Sequence, residues 1–216
     1  MSDLPEVAVA ERLAERIAAL EIPPAVREKC IDLGVDVIGL IVMARNEDYV
    51  RATLAACDDG GPCTAIGHTR TLSAAGAALV NGTAAHGEDF DDTFEGGPVH
   101  AGAVVVPAVL AACERHNPDG AAALRGIAIG VETLCRLSMV VPKAVHKAGF
   151  HPTAVFGAMG AAAGVAAALR LDKKQTVDAL GVAGSMASGI IEYLAEGAWT
   201  KRMHAERSEE RRVGKE

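Results

Sequence analysis

Across residues 7–20 apolar side chains recur at three- and four-residue spacing (Val9, Leu13, Ile17, Leu20), which predicts an amphipathic helix with one buried stripe. Pro23 and Pro24 stand where a helix can start, and residues 26–44 carry apolar positions on nearly every side, so the second helix is expected to be largely buried. Residues 47–56 read as a shorter third helix. A Gly-Gly-Pro cluster and a short CTAIG run make 58–71 a loop with at most one brief extended segment, after which Ser73 can cap the helix AAGAALVNGTAAHG. Residues 88–99, EDFDDTFEGGPV, have no helical period and must form a loop.

The helical pattern returns at His100, runs to His116 with Pro107 expected to kink it, stops at Asn117-Pro118-Asp119-Gly120, and resumes over 121–141. A further helix starts at His151-Pro152, and a last one starts at Asp172 or Thr176 and ends in the Gly/Ser/Ala-rich segment that runs to about Tyr193. The run 152–169 is uncharged and 18 residues long, the length of a membrane span. Its bulk is Ala and Gly, however, and Gly157, Gly160 and Gly164 suit close approach by another helix in a soluble core. The fold class expected is therefore all-α.

Composition sharpens this picture. The 216 residues include 42 alanines and 23 glycines but only 3% aromatics, a mixture that favours close-packed helices over a β-sandwich. A net charge of -7 lacks the basic excess that nucleic acid or an anionic membrane surface demands, so neither partner is expected. Five scattered cysteines without a C-x-x-C pair, and an N-terminus without a basic start or apolar stretch, point to reduced thiols in the cytoplasm.

Candidate chemistry concentrates in three places. In His86-Gly87-Glu88-Asp89-Phe90-Asp91-Asp92-Thr93, with His100 following, four acids fall within five positions. Holding them together requires hydrogen bonds, a cation or proton traffic in return. A metal site could use Asp89, Asp91 or Asp92 with His86 or His100, and Mg²⁺ would suit the carboxylates. Alternatively one carboxylate orients a histidine for acid/base work while the others cap and hydrogen-bond, or the loop is merely solvated. His151 opens a helix, where backbone N–H groups and the dipole favour anions. Thr200-Lys201-Arg202-Met203-His204 is a compact cationic group.

Together these segments resemble the MmgE/PrpD family, which includes 2-methylcitrate dehydratase and cis-aconitate decarboxylase. NGTAAHGEDFDDTF with VHAGAVVVPAVLA is similar to the family's Asp-Phe-Asp-Asp-Thr segment and its His-initiated helix; FHPTAVFGAMGAAAGVA and TKRMH match two further signatures. The resemblance implies a metal-free, cofactor-independent lyase, with dehydration of a 2-methylcitrate-like polycarboxylate as the leading expectation and decarboxylation, epimerisation or a non-catalytic helical module as alternatives. It assigns active-site positions to Asp89 and Thr93, the catalytic histidine to His100, and the further signatures to His151 and Lys201. Tyr193 falls near a position that lines the pocket in the decarboxylases. The expected division of labour is His100 as acid/base oriented by Asp89, with His151 and Lys201 binding carboxylates and stabilising enolate-like charge.

Family members are about twice as long, with an α/β lid, and are expected to be homodimers. By that resemblance residues 1–205 correspond to the N-terminal part of the helical domain, truncated before the lid. Residues 206–216, ERSEERRVGKE, hold eight charges in eleven positions and read as a disordered or non-native tail. Helices deprived of partners would then expose apolar stripes and promote self-association.

Overall fold

The computed structural model describes residues 7–207, with the side chains of 205–207 left aside. The chain forms α1 (Val9–Ala19), α2 (Pro24–Ala44), α3 (Asp48–Ala56), β1 (Cys63–Thr64), β2 (Thr71–Leu72), α4 (Ala74–His86), α5 (Ala101–His116), α6 (Gly120–Val140), α7 (Ala144–Lys147), α8 (Pro152–Ala168), α9 (Lys173–Met186), α10 (Tyr193–Glu196) and α11 (Lys201–Arg207). The fold is all-α: helix makes up 68% of the structure, and the two short strands only pair with each other, antiparallel, inside the loop between α3 and α4. Of the expected tail, Glu206 and Arg207 close α11, and the remainder lies outside the described residues.

Local chemistry accounts for several helix boundaries. Ser73 accepts a hydrogen bond from the Gly76 amide, Asp119 accepts one from Ala122, and Asp172 with Gln175 forms a reciprocal capping box. Asn117 ends α5 in the left-handed conformation that asparagine tolerates, at φ 54°. α5 continues past Pro107 to His116.

α4, α5 and α8 form the centre, and nearly every residue of α4 is buried. α6 and α8 pack antiparallel along a seam of glycines: Gly126 faces Gly164 and Gly130 faces Gly160. A Cβ at Gly126 would lie 2.7 Å from the Gly164 carbonyl oxygen, and one at Gly160 would lie 2.9 Å from that of Gly130. The alanine- and glycine-rich run 152–169 is thus a core helix, and among the described residues no helix is long and apolar enough to cross a membrane.

Two outer helices differ from their sequence pattern. In α1, Ala14 and Ile17 are buried, but Val9 is 77% exposed, and Leu20, just past the helix, also faces out. α2 was expected to be largely buried. It buries Cys30, Val37 and Ile41 on one face and leaves Ile31, Val35, Ile38 and Val42 exposed on the other, since α4, α5 and α6 all lie on the same side of it.

Candidate active site

The loop 87–99 leaves the C-terminus of α4 and returns at the N-terminus of α5, so both of its ends are held by buried helices. Asp92 anchors the return. Its carboxylate accepts from the amides of Gly102 at 2.8 Å and Ala101 at 3.2 Å, satisfying donors that the helix itself leaves unpaired. Burial, together with the charge of Asp91, raises the Asp92 carboxyl above its usual range, against the pull of these amides.

His86 is the last residue of α4 and is 1% exposed. Its Nδ1 lies 2.7 Å from Asp91 Oδ2, and neither side chain has exposed surface. The same oxygen is 3.4 Å from His100 Nδ1, on a ring that keeps 18% exposure. Burial opposes ionisation of Asp91, but the contact with His100, the hydrogen bond from His86 and attraction to both rings prevail and hold it well below the carboxylate range. For His100, burial opposes the charged ring, and the Asp91 carboxylate 3.4 Å away outweighs it, so its pKa is raised.

The carboxylate that lies against His100 is Asp91, whereas Asp89, expected to orient it, is placed beside Lys201. Asp89 takes a left-handed backbone conformation, φ 56°, and its side chain forms an ion pair with Lys201. A non-glycine residue in that conformation is uncommon, though Asp is among those that tolerate it, and such outliers gather at functional sites. Thr93, two residues further on from Asp91, is exposed at the surface.

His151 caps the start of α8, and its amide donates to the Gly189 carbonyl at 2.8 Å. Gly189 has φ +115°, and a Cβ there would come within 2.9 Å of Ala154 Cβ, so glycine is needed where this strand-like segment presses on α8. The amide of His100 donates to Thr153 Oγ1 at 3.2 Å, which ties the starts of α5 and α8 together. The His151 ring stacks on His86 at 5.6 Å between centroids and meets Tyr193 edge-on at 5.7 Å; His204 lies 5.7 Å from Tyr193 and 6.5 Å from His151. His86 and His100 meet at 4.9 Å.

Burial pushes the His151 pKa down to about 3, with the positive potential of His86, Lys201, His204 and His100 adding to it. His151 is thus held as the neutral imidazole, with the Lys201 cation nearby. This has a consequence for stability. The unfolded chain takes up a proton at His151 below its ordinary 6.5, whereas the folded chain does so only near 3, so His151's contribution is fully present above 6.5 and is lost as pH falls through that window. Chemical denaturation at stepped pH should show stability falling towards acid by up to about 1.4 kcal/mol per pH unit from this group. A His151→Gln variant should lose that part of the slope.

The α11 helix reaches the loop through residues the motif did not single out. Arg202 Nε donates to the Gly87 carbonyl at 2.5 Å, its guanidinium lies 4.3 Å from the centre of the Tyr49 ring, and the Tyr49 hydroxyl donates to Glu88 at 2.9 Å. Burial, with the Glu88 hydrogen bond, pushes the Tyr49 hydroxyl up. This clasp fixes Lys201 beside Asp89 and His204 beside Tyr193. A long-range Tyr–Glu–Arg arrangement has no sequence signature, so only the TKRMH segment hinted at it.

The metal possibility can be weighed on donor geometry. His86, Asp91 and His100 offer ligand atoms within 4.8 Å of one another. Two imidazoles and one carboxylate do not suit Mg²⁺, which prefers oxygen donors. The 2.7 Å between His86 and Asp91 is hydrogen-bond spacing, shorter than the roughly 3.3 Å that separates tetrahedral ligands of a common ion. Asp89 and Asp92, the other candidate ligands, are engaged with Lys201 and the start of α5.

The helical frame thus brings His86, His100, His151 and His204, the buried Asp91 and Lys201 into one cluster. Comparison with known proteins agrees with the sequence resemblance. The profile of the MmgE/PrpD N-terminal domain matches residues 11–210, and the chain belongs to the MmgE/PrpD family. It is 28% identical over 196 residues to the cis-aconitate decarboxylase-like protein oryM of Aspergillus oryzae, covering 86% of this chain and 41% of that protein. It is 30% identical over 192 residues to the cis-aconitate decarboxylase of Aspergillus terreus, covering 82% of this chain and 38% of that one, and 33% identical over 133 residues to the human cis-aconitate decarboxylase, covering 59% and 27%. The chain thus spans about two fifths of the first two relatives.

Proposed function

We propose that this domain supplies the acid/base half of a cofactor-independent lyase acting on a small polycarboxylate. The observation that carries this is the pair His100 and His151, whose surroundings displace their pKa values in opposite directions beside Lys201. Two titratable groups pushed apart in this way are suited to giving and accepting a proton at neutral pH. In this reading His100, held by Asp91, donates; neutral His151 accepts a proton or a hydrogen bond; and Lys201 leaves Asp89 to bind a carboxylate. A polyanion in the site would itself raise the His151 pKa towards a useful range.

The names of the relatives favour decarboxylation of a cis-aconitate-like tricarboxylate over the dehydration that the motifs first suggested. One carboxylate C–C bond breaks and releases CO₂, its electron pair moves into the adjoining unsaturated system, and a carbon there takes a proton from His100, which recovers it from solvent. Dehydration is the second reading: His151 takes the C–H proton next to a carboxylate while His100 protonates the departing hydroxyl, giving water. Thr93 and Tyr193 would line the pocket. The proposal includes a homodimer, for which the outer face of α2 offers apolar surface, and a cytoplasmic location, which the five free cysteines support.

The test is to incubate a polypeptide carrying this domain at the full length of its relatives with cis-aconitate and, separately, with 2-methylcitrate. CO₂ release from cis-aconitate is expected. Consumption of 2-methylcitrate alone would favour the dehydratase, and turnover of neither would overturn the lyase.

A further inference from the structure

One buried group has no role in that chemistry. His86 sits behind Asp91, its ring in contact with both His100 and His151. An ionised carboxylate only accepts hydrogen bonds, so the nearer imidazole must donate, and His86 carries its proton on Nδ1. Its Nε2 is buried without a hydrogen-bond partner.

Both imidazoles approach the same oxygen of Asp91, whose other oxygen, Oδ1, is buried without a hydrogen-bond partner. Asp91 Oδ2 is 2.7 Å from His86 and 3.4 Å from His100, so the fully buried ring has the hydrogen bond and the partly exposed ring has only a long contact. We propose that His86 is a positioning residue, which draws the Asp91 carboxylate away from His100 and so keeps the proton of His100 transferable instead of locked in a tight ion pair. Resting on the acid/base reading of His100, this adds a tuning element that the motif does not name. Proton transfer is most efficient when the donor lies near the working pH, and an undivided, buried Asp91 would hold His100 too firmly.

The groups facing His100 are Asp91, Asp89 and Asp92, which favour its charged form, Lys201, which opposes it, and the neutral ring of His151; His86 acts through Asp91. Removing His86 frees Asp91 Oδ2 to turn to His100 and therefore raises the His100 pKa. It also removes one of the neighbours that depress His151.

The test is side-chain ¹⁵N NMR of histidine in the intact chain, which needs no substrate and so stands apart from the lyase assay. In the wild type, His86 should appear as the Nδ1–H tautomer; a bare Nδ1 would overturn the proposal even if every variant failed to fold. In His86→Leu the His100 titration midpoint should move up by at least half a pH unit, while His86→Gln, whose amide can still donate to Asp91, should stay near the wild type. An unchanged or lowered midpoint in folded His86→Leu, or equal shifts in both variants, would overturn it. In a full-length enzyme the acidic-form activity of His86→Leu should persist to higher pH.

Discussion

Replacing His100 with alanine is expected to lower turnover of a full-length enzyme carrying this domain by about 10²–10⁴-fold, the range over which a positioned acid/base group contributes. The fold should survive, because the ring keeps 18% exposure and its loss empties no closed cavity. Asp91→Asn should follow the same direction through His100: without the carboxylate, burial is the dominant influence left and the His100 pKa drops below its ordinary value. Asp89→Asn, by contrast, should act on substrate affinity by releasing Lys201. Steady-state kinetics over a pH series distinguishes these, since the first pair lowers kcat and the last raises KM. Near wild-type turnover of His100→Ala would contradict the assignment.

The largest effect on stability is expected at the α6–α8 seam. A Cβ at Gly126 would meet the Gly164 carbonyl oxygen at 2.7 Å and Ala168 Cβ at 2.8 Å, neither of which can swing aside. Alanine there gains about 1 kcal/mol of helix propensity, but forcing two helices apart costs on the order of 1–3 kcal/mol and occasionally more, so a net loss follows. Gly126→Leu should leave no folded domain. Gly181 on α9 has nothing within 4 Å of such a Cβ, and Gly181→Ala should instead stabilise by roughly 0.5–1 kcal/mol. Thermal melts of the two alanine variants should therefore move in opposite directions. A rise for Gly126→Ala would mean that the helices are not packed as described.

Much of this architecture is legible in the sequence because it is written in local chemistry. The caps at Ser73, Asp119 and Asp172, the stop at Asn117 and the glycines of 152–169 each act within a few residues of themselves. The face that α2 leaves uncovered is not legible, since apolar residues on all sides look the same whether or not a partner is present. Within the site, His100, His151 and Lys201 are recognisable from their motifs. That Asp91 lies against the histidines while Asp89 pairs with Lys201 is not, because the path of an irregular loop has no period to read. The clasp of Arg202 on Tyr49 joins residues more than 150 positions apart, which no spacing rule connects.

The central claim is that segments remote in the chain surround one polyanionic guest, and histidine-selective NMR during a titration with cis-aconitate tests it most directly. The resonances of His100 and His151 should both move and saturate at one ligand concentration, and Lys201→Ala should shift that concentration upward. Movement of the two rings with separate affinities, or of neither, would contradict a shared site.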